Sequence, residues 1–265
     1  MIRCDIRSIG LICPGLPSWR DAVPVLTGRA AYLPGALEIP DPKLLSPSER
    51  RRSTAFTKLA MAAGEAALAD AGTDGHSLTS VFASGSGDMD VIDKICTSLM
   101  EPDHPISPTH FHNSVHNATA GHWAIAARCR EPSISLSAHD STFAAGLLEA
   151  GATVSVDHVS VLLIACDVPP PFPLAEKQPM LAAFAVALLL SPPGTWAGRL
   201  ARLRIAAEGS AAGEDRLSDP GLEALRTGNP SARSLPLLAA IAGGSAGEVS
   251  IGSDPGARLR VAVEP

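Results

Sequence analysis

His139, Asp140 and Ser141 stand side by side in the chain and carry the imidazole, carboxylate and hydroxyl of a hydrolytic relay. Adjacent residues cannot turn their side chains into one relay, so a triad here needs a recruit from elsewhere. A small acyltransferase or hydrolase would use Ser141 with His139 or His116. The Gly-x-Ser-x-Gly elbow of serine hydrolases is absent here and at Ser84-Gly85-Ser86-Gly87. Asp140 and Ser141 are also good helix N-caps, a plain role that competes with chemistry.

His110, His112 and His116 have the spacing HxHxxxH, which raises a metal site. No carboxylates stand nearby to orient the imidazoles, so lining a loop is the stronger expectation and no metal is expected. Gly85, Gly87 and Asp88 form a glycine-rich strand-to-helix turn without GxGxxG or a P-loop lysine. No nucleotide or other cofactor is expected, and the glycines read as close backbone packing. Asn117 and the pair Ala120-Gly121 read as close helix packing. Asp167 follows an apolar run before Val168-Pro169-Pro170-Pro171, where a carboxylate can orient a loop by accepting backbone hydrogen bonds. Cys4, Cys13, Cys96, Cys129 and Cys166 are odd in number with no CxxC, which suits packed, reduced thiols.

The elements that must position these groups follow from periodicity. Ile6 to Cys13 reads as a strand closed by Pro14-Gly15, followed by a Pro-rich loop. Ser46 and Glu49 have capping-box spacing with Pro47 at the first helical position. Phe56, Leu59, Ala60, Ala63 and Ala67 recur at helical spacing up to Gly72. Ser53 or Thr54 offers a second cap, so one helix or two fit this stretch. Segments 88–100, 114–129, 141–150 and 235–241 read as helices. Segments 79–83, 133–137, 159–165, 182–190, 200–207, 248–251 and 259–263 read as strands, with 209–219 a loop or linker. The alternation predicts an α/β fold whose mixed sheet is mostly parallel, with helices on both faces.

The chain has 265 residues, is 46% hydrophobic and only 4% aromatic, and carries a net charge of −6. That length buries one large core, and a single domain over 1–265 is expected, with 1–208 the main body and 209–265 a short C-terminal extension. The acidic balance argues against nucleic acid. The N-terminus lacks a long apolar core and the longest apolar run, Met180 to Leu190, is too short for a transmembrane segment. A cytoplasmic protein is expected.

Ile106-Ser107-Pro108, Asn117 with Ala120-Gly121-His122, and Pro132-Ser133-Ile134-Ser135 together resemble the N-terminal half of β-ketoacyl synthases of the thiolase-like fold. The resemblance covers roughly residues 1 to 205 and looks closest to short chain-length-factor subunits of aryl-polyene and related polyketide pathways. It implies a thiolase-like half fold with the C-terminal half truncated. In active members a cysteine sits at the strand-to-helix turn, where a helix N-terminus favours the thiolate. Ungapped counting places Asp140 there, and a one-residue slip places His139. The family's decarboxylating histidines lie in its second half, whereas the last histidine here is His158. The resemblance therefore implies no catalytic residue, the turn His139, Asp140, Ser141 being degenerate. It implies instead a heterodimer with a full-length β-ketoacyl synthase, with acyl carrier protein engaged indirectly. Carried over, the interface and acyl tunnel fall on Thr109, His110, Phe111, His112, on Ser133, Ile134, Ser135, Leu136, Ser137, and on Phe143. A homodimeric acyl-binding module is the remaining reading. A sheet face left uncovered by the missing half must be patched by the residues after Gly209 or by a partner.

Overall fold

A computed structural model describes residues 1–196, 198–209, 213–252 and 257–265. Its strands are β1 (Ile2–Ile12), β2 (Thr79–Ala83), β3 (Ser133–Leu136), β4 (Val161–Asp167), β5 (Phe184–Ser191), β6 (Ala201–Gly209), β7 (Gly247–Gly252) and β8 (Ala257–Glu264). They form one sheet in the order β3-β2-β4-β5-β1-β6-β8-β7. The expected mixed sheet is present, but the parallel share is smaller than expected. Only β2 pairs in parallel, with β3 and β4. Every other pairing is antiparallel. The apolar run of β4, which reads as a strand covered on both faces, is buried along its whole length, yet it runs parallel to β2 and antiparallel to β5. Burial on both faces comes from the helix layers, however, and carries no information about strand direction.

The helices are α1 (Trp19–Leu26), α2 (Pro47–Arg52), α3 (Ala55–Ala71), α4 (Met89–Leu99), α5 (Pro108–Asn113), α6 (Ala118–Ala126), α7 (Thr142–Asp157), α8 (Pro220–Thr227) and α9 (Leu235–Gly243). The stretch that fitted one helix or two is two. The Ser46–Glu49 capping box opens α2, and Thr54 caps α3 through its side chain. The segment expected as a helix over 114–129 is shorter, because the chain turns at 114–117 and starts α6 after Asn117. The sequence reading had no α1, α5 or α8. Each has a start signal in hindsight: Ser18 bonding Asp21, Pro108 at the first position of α5, and Asp219 before Pro220. Residues 210–212 of the expected linker lie outside the described residues. Among the described residues no helix is long and apolar enough to cross a membrane.

One face of the sheet carries α3 and α6, packed through Phe56, Leu59, Ala63 and the fully buried Trp123. The other carries α7, α1, α8 and α9. Leu222, Leu225, Leu235, Leu237, Leu238 and Ile241, all after Gly209, are buried in that second layer. The extension therefore patches the sheet face.

The closest approach in the first layer is at Gly10 of β1. A Cβ there would lie 2.0 Å from the Ala63 carbonyl oxygen and 2.9 Å from the Ala67 nitrogen. Beside it, Ser8 Oγ donates to the Ala67 carbonyl at 2.7 Å. By contrast, a Cβ on Gly121 of α6 meets nothing within 4 Å. Gly121 thus serves no close helix packing, contrary to expectation, whereas its neighbour Ala120 is buried. Gly10→Ala is expected to cost about 2–3 kcal/mol by prising β1 from the α3 backbone. Gly121→Ala is expected to add about 0.5–1 kcal/mol of helix propensity. Urea unfolding of the two variants measures both.

Candidate functional site

β3 runs parallel to β2 and leads through Ser137 and Ala138 into a single 3-10 turn, His139–Ser141, and then into α7. His139 has a φ of 48°, in the left-handed region that a side chain with a Cβ enters at some cost. Thr142 holds this corner: its Oγ1 donates to the His139 carbonyl at 2.6 Å and accepts from the Ala138 N–H at 3.0 Å. The strained residue of the turn is therefore His139, one position before the residue reached by ungapped counting. Asp140 is exposed and pairs with Arg233 at 3.4 Å. The expected capping is not found: Ser141 precedes α7 without a side-chain cap bond. Among the described residues no hydrogen bond joins Ser141 Oγ to an imidazole. His116 instead places Nε2 3.2 Å from the Ser84 carbonyl. The relay of Ser141 with His139 or His116 is not assembled.

The turn borders a cavity of about 320 Å³. His139 and Asp140 form one wall and Gly85-Ser86 another, with Lys177 to Met180 and Thr227 to Pro230 closing it. Gln178 is tied to Ser86, whose Oγ donates to Oε1 at 2.8 Å. No cysteine is at the turn. Cys4, Cys13 and Cys166 are buried elsewhere. Burial pushes the thiols of Cys4 and Cys13 up to about 12 and that of Cys166 well above its ordinary value.

Beneath the cavity lies Asp167, at the end of β4 and 1% exposed. Its Oδ1 accepts from Ser84 Oγ at 2.9 Å and from the Gly85 N–H at 2.8 Å. Its Oδ2 accepts from Ser231 Oγ at 2.6 Å. The loop-orienting role expected of this carboxylate is what its contacts show. Asn229 completes the junction: Nδ2 donates to the carbonyls of Asp167 and Ala182, and Oδ1 accepts from the N–H groups of Ser231 and Ala232. Gly85 allows this approach, since a Cβ there would lie 3.1 Å from Pro230 Cγ and 3.5 Å from Asp167 Oδ1. Ser84, Ser231 and Asn229 escaped the sequence reading, as did Lys177, Gln178 and Arg233. Asn229, Ser231 and Arg233 arrive because the extension folds back onto the turn after β2, while Gln178 is held there by Ser86.

Thr109, His110, Phe111 and His112 lie on α5 rather than in a loop. Thr109, Phe111 and His112 are exposed, Phe111 at 69%. His112 packs edge-on against His122, with ring centroids 6.1 Å apart. The three histidines of HxHxxxH are thus split, and no group of three or more potential metal ligands occurs among the described residues. His122 Nε2 lies 3.1 Å from Asn113 Oδ1, and burial, then the neighbouring His112, push its pKa down. Ser133 and Ser137 are exposed, and Ile134, Ser135 and Leu136 are half-buried on the outermost strand of the sheet. Phe143, expected at the interface or tunnel, is instead fully buried in the core.

Among the described residues no cation pairs with Asp167. Burial raises its pKa from 3.8 to about 6, against the lowering effect of its hydrogen bonds. The folded state therefore holds this proton more tightly than the unfolded chain does. Asp167's contribution favours the fold at low pH and is lost as pH rises through about 6, a difference of about 3 kcal/mol at about 1.4 kcal/mol per pKa step. Glu223, lowered to about 2 chiefly by Arg226, acts in the opposite sense and at lower pH. Asp167→Asn retains an acceptor for Ser84 and Gly85. It is expected to flatten the gain in stability between pH 7 and pH 5, measured by urea unfolding across that range.

The model of the β-ketoacyl synthase N-terminal domain matches residues 27–241. No curated protein matches the chain. Among solved structures, a ketosynthase in complex with its chain length factor from Xenorhabdus doucetiae is similar with a TM-score of 0.74 at 22% identity, covering 99% of this chain and 100% of that one. The ishigamide ketosynthase/chain length factor gives 0.75 at 13% identity, covering 100% and 99%. A type II polyketide synthase acyl-carrier protein in complex with its ketosynthase gives 0.77 at 12% identity, covering 99% of each chain. These likenesses establish the thiolase-like fold. The motif match spans the turn, the sheet edge and most of the cavity walls, and the chain belongs to the β-ketoacyl synthase N-terminal domain family.

Proposed function

We propose that this chain is a non-catalytic, chain-length-factor-type subunit that pairs with an active β-ketoacyl synthase and shapes its acyl tunnel. The observation that carries this reading is the turn after β3. The strained strand-to-helix corner is kept, with His139 at φ 48°, but the residues on it are His139, Asp140 and Ser141 and none is a thiol. Condensation needs a sulfur that can hold an acyl group as a thioester, and neither imidazole nor carboxylate replaces it. Between His158 and Pro265 no histidine stands to assist decarboxylation. The partner would supply the cysteine, the histidines and the dock for acyl carrier protein.

Two surfaces support pairing. β3 is the outermost strand of its end of the sheet. Pro132 and Leu136 turn their carbonyls to the N–H groups of Ser80 and Ser84 on β2. Alternation then points the backbone groups of Ser133, Ser135 and Ser137 outward, where a partner strand can bond them. Nearby in the chain, Leu99, Met100, Ile106, Phe111 and Val115 are exposed apolar side chains around α4 and α5, the kind of surface that marks association.

Co-expression with a full-length ketosynthase, followed by pull-down and product analysis, tests the reading. The two chains should co-purify and elongate a carrier-bound starter together, while this chain alone should not elongate it. Ser135→Pro removes an outward N–H without touching the β2 ladder, so it should lower co-purification at least tenfold while the chain keeps its melting temperature. Covalent labelling of Ser141 by a fluorophosphonate would overturn the assignment. Phe111→Ala, and separately His110→Ala, should shift the product distribution of the assembled pair by at least one two-carbon unit. An unchanged distribution would remove both residues from the tunnel.

A further inference from the structure

The two ends of the sheet are finished differently. At the β7 end a segment of the extension lies along the edge. The Asp215 N–H donates to the Ser250 carbonyl at 2.9 Å, and Asp215 Oδ2 accepts from the Ser250 N–H at 2.9 Å. Ser250 therefore faces away from β8, and alternation turns the backbones of Glu248 and Gly252 the same way. Each of these three outward positions has a carboxylate beside it. Glu248 supplies its own, although it also pairs with Arg260 of β8 at 3.5 Å, Asp215 occupies Ser250, and a Cβ on Gly252 would lie 3.0 Å from Glu214 Oε2.

The segment is tied down behind the edge. Glu214 bridges Arg226 at 2.7 Å and Arg233 at 2.6 Å, and the Leu217 N–H donates to Glu223 Oε2 at 3.0 Å. At the β3 end the outward positions are Ser133, Ser135 and Ser137, which are small and uncharged. An unpaired edge is a template for any extended strand, and carboxylates on it repel a strand and must be desolvated to admit one.

From this asymmetry we infer that residues 213–217 are an edge guard, which blocks strand addition at β7 and leaves β3 as the edge on which a partner strand pairs. The blocking half stands on the Asp215–Ser250 pair alone. The directing half rests on the β3 pairing proposed above.

The test is the mass of the full chain in solution, by size exclusion with light scattering. Asp215→Pro removes both the donor and the acceptor at Ser250. The variant should at least double in mass at a concentration where the unaltered chain does not, and adding Ser135→Pro should leave that gain in place, because the new contact runs through β7. An Asp215→Pro chain that melts cooperatively yet keeps the parental mass overturns the guard. So does self-association abolished by Ser135→Pro. If Asp215→Pro does not melt cooperatively, Asp215→Ala, which frees only the Ser250 N–H, is read by the same outcomes. Should Ser135→Pro leave co-purification with a ketosynthase intact, the β3 reading fails, while the mass of the Asp215 variants still decides the guard.

Discussion

A buried carboxylate that takes hydrogen bonds from two distant segments holds the site together. Asp167 receives the Ser84 hydroxyl and the Gly85 N–H from the turn after β2, and the Ser231 hydroxyl from the extension. Isolating a charge from water is costly, and here only hydrogen-bond donors offset it. Those donors come from segments far apart in the chain, so the carboxylate is satisfied only when the extension is docked. The cavity wall at Asn229 and Pro230 is placed by the same docking. A leucine at 167 would make a simpler core, but it would leave the turn at Gly85 and the hydroxyl of Ser231 without acceptors.

The turn after β3 separates geometry from chemistry. The strained corner, the helix that follows and the cavity in front are present, and each is set by backbone packing: Thr142 bracing His139, and Gly146 of α7 seated where a Cβ would come within 2.9 Å of Ala83. Bond formation needs a particular atom at the corner. The shape of the corner does not depend on which side chain stands at 139–141, because Thr142 and the seating of α7 hold it. The same logic applies to the sheet edges. β3 is presented by the fold, yet what approaches it is decided by the chemistry at each end, serines on one side and carboxylates on the other.

Much of the fold could be read from residue pattern. The Ser46–Glu49 box, the Thr54 cap and the apolar period of α3 are local signals, and each appears where expected. Strand direction was not readable, because β5 buries both faces whichever way its neighbours run. Whether the residues after Gly209 or a partner covers the sheet face could not be read from the sequence, since their burial depends on a face whose cover cannot be seen in one dimension. Phe143 shows the converse. A large apolar residue just past the turn suits a tunnel as well as a core, and only the packing of α7 puts it in the core.

The sequence by itself determined which residues stand where: His139, Asp140 and Ser141 at the strand-to-helix turn, and small neutral residues along 133–137 apart from Ile134 and Leu136. Order along the chain suffices for such statements, because the atoms that a turn or a strand carries are fixed by covalent sequence alone. The tertiary structure decided what is gathered. It brought Ser84, Asp167, Asn229 and Ser231 into one buried junction, placed His116 on Ser84 rather than with its sequence neighbours, and laid Asp215 across the β7 edge. These contacts join residues 32 to 83 positions apart, and only the folded sheet with its two helix layers brings them within bonding distance.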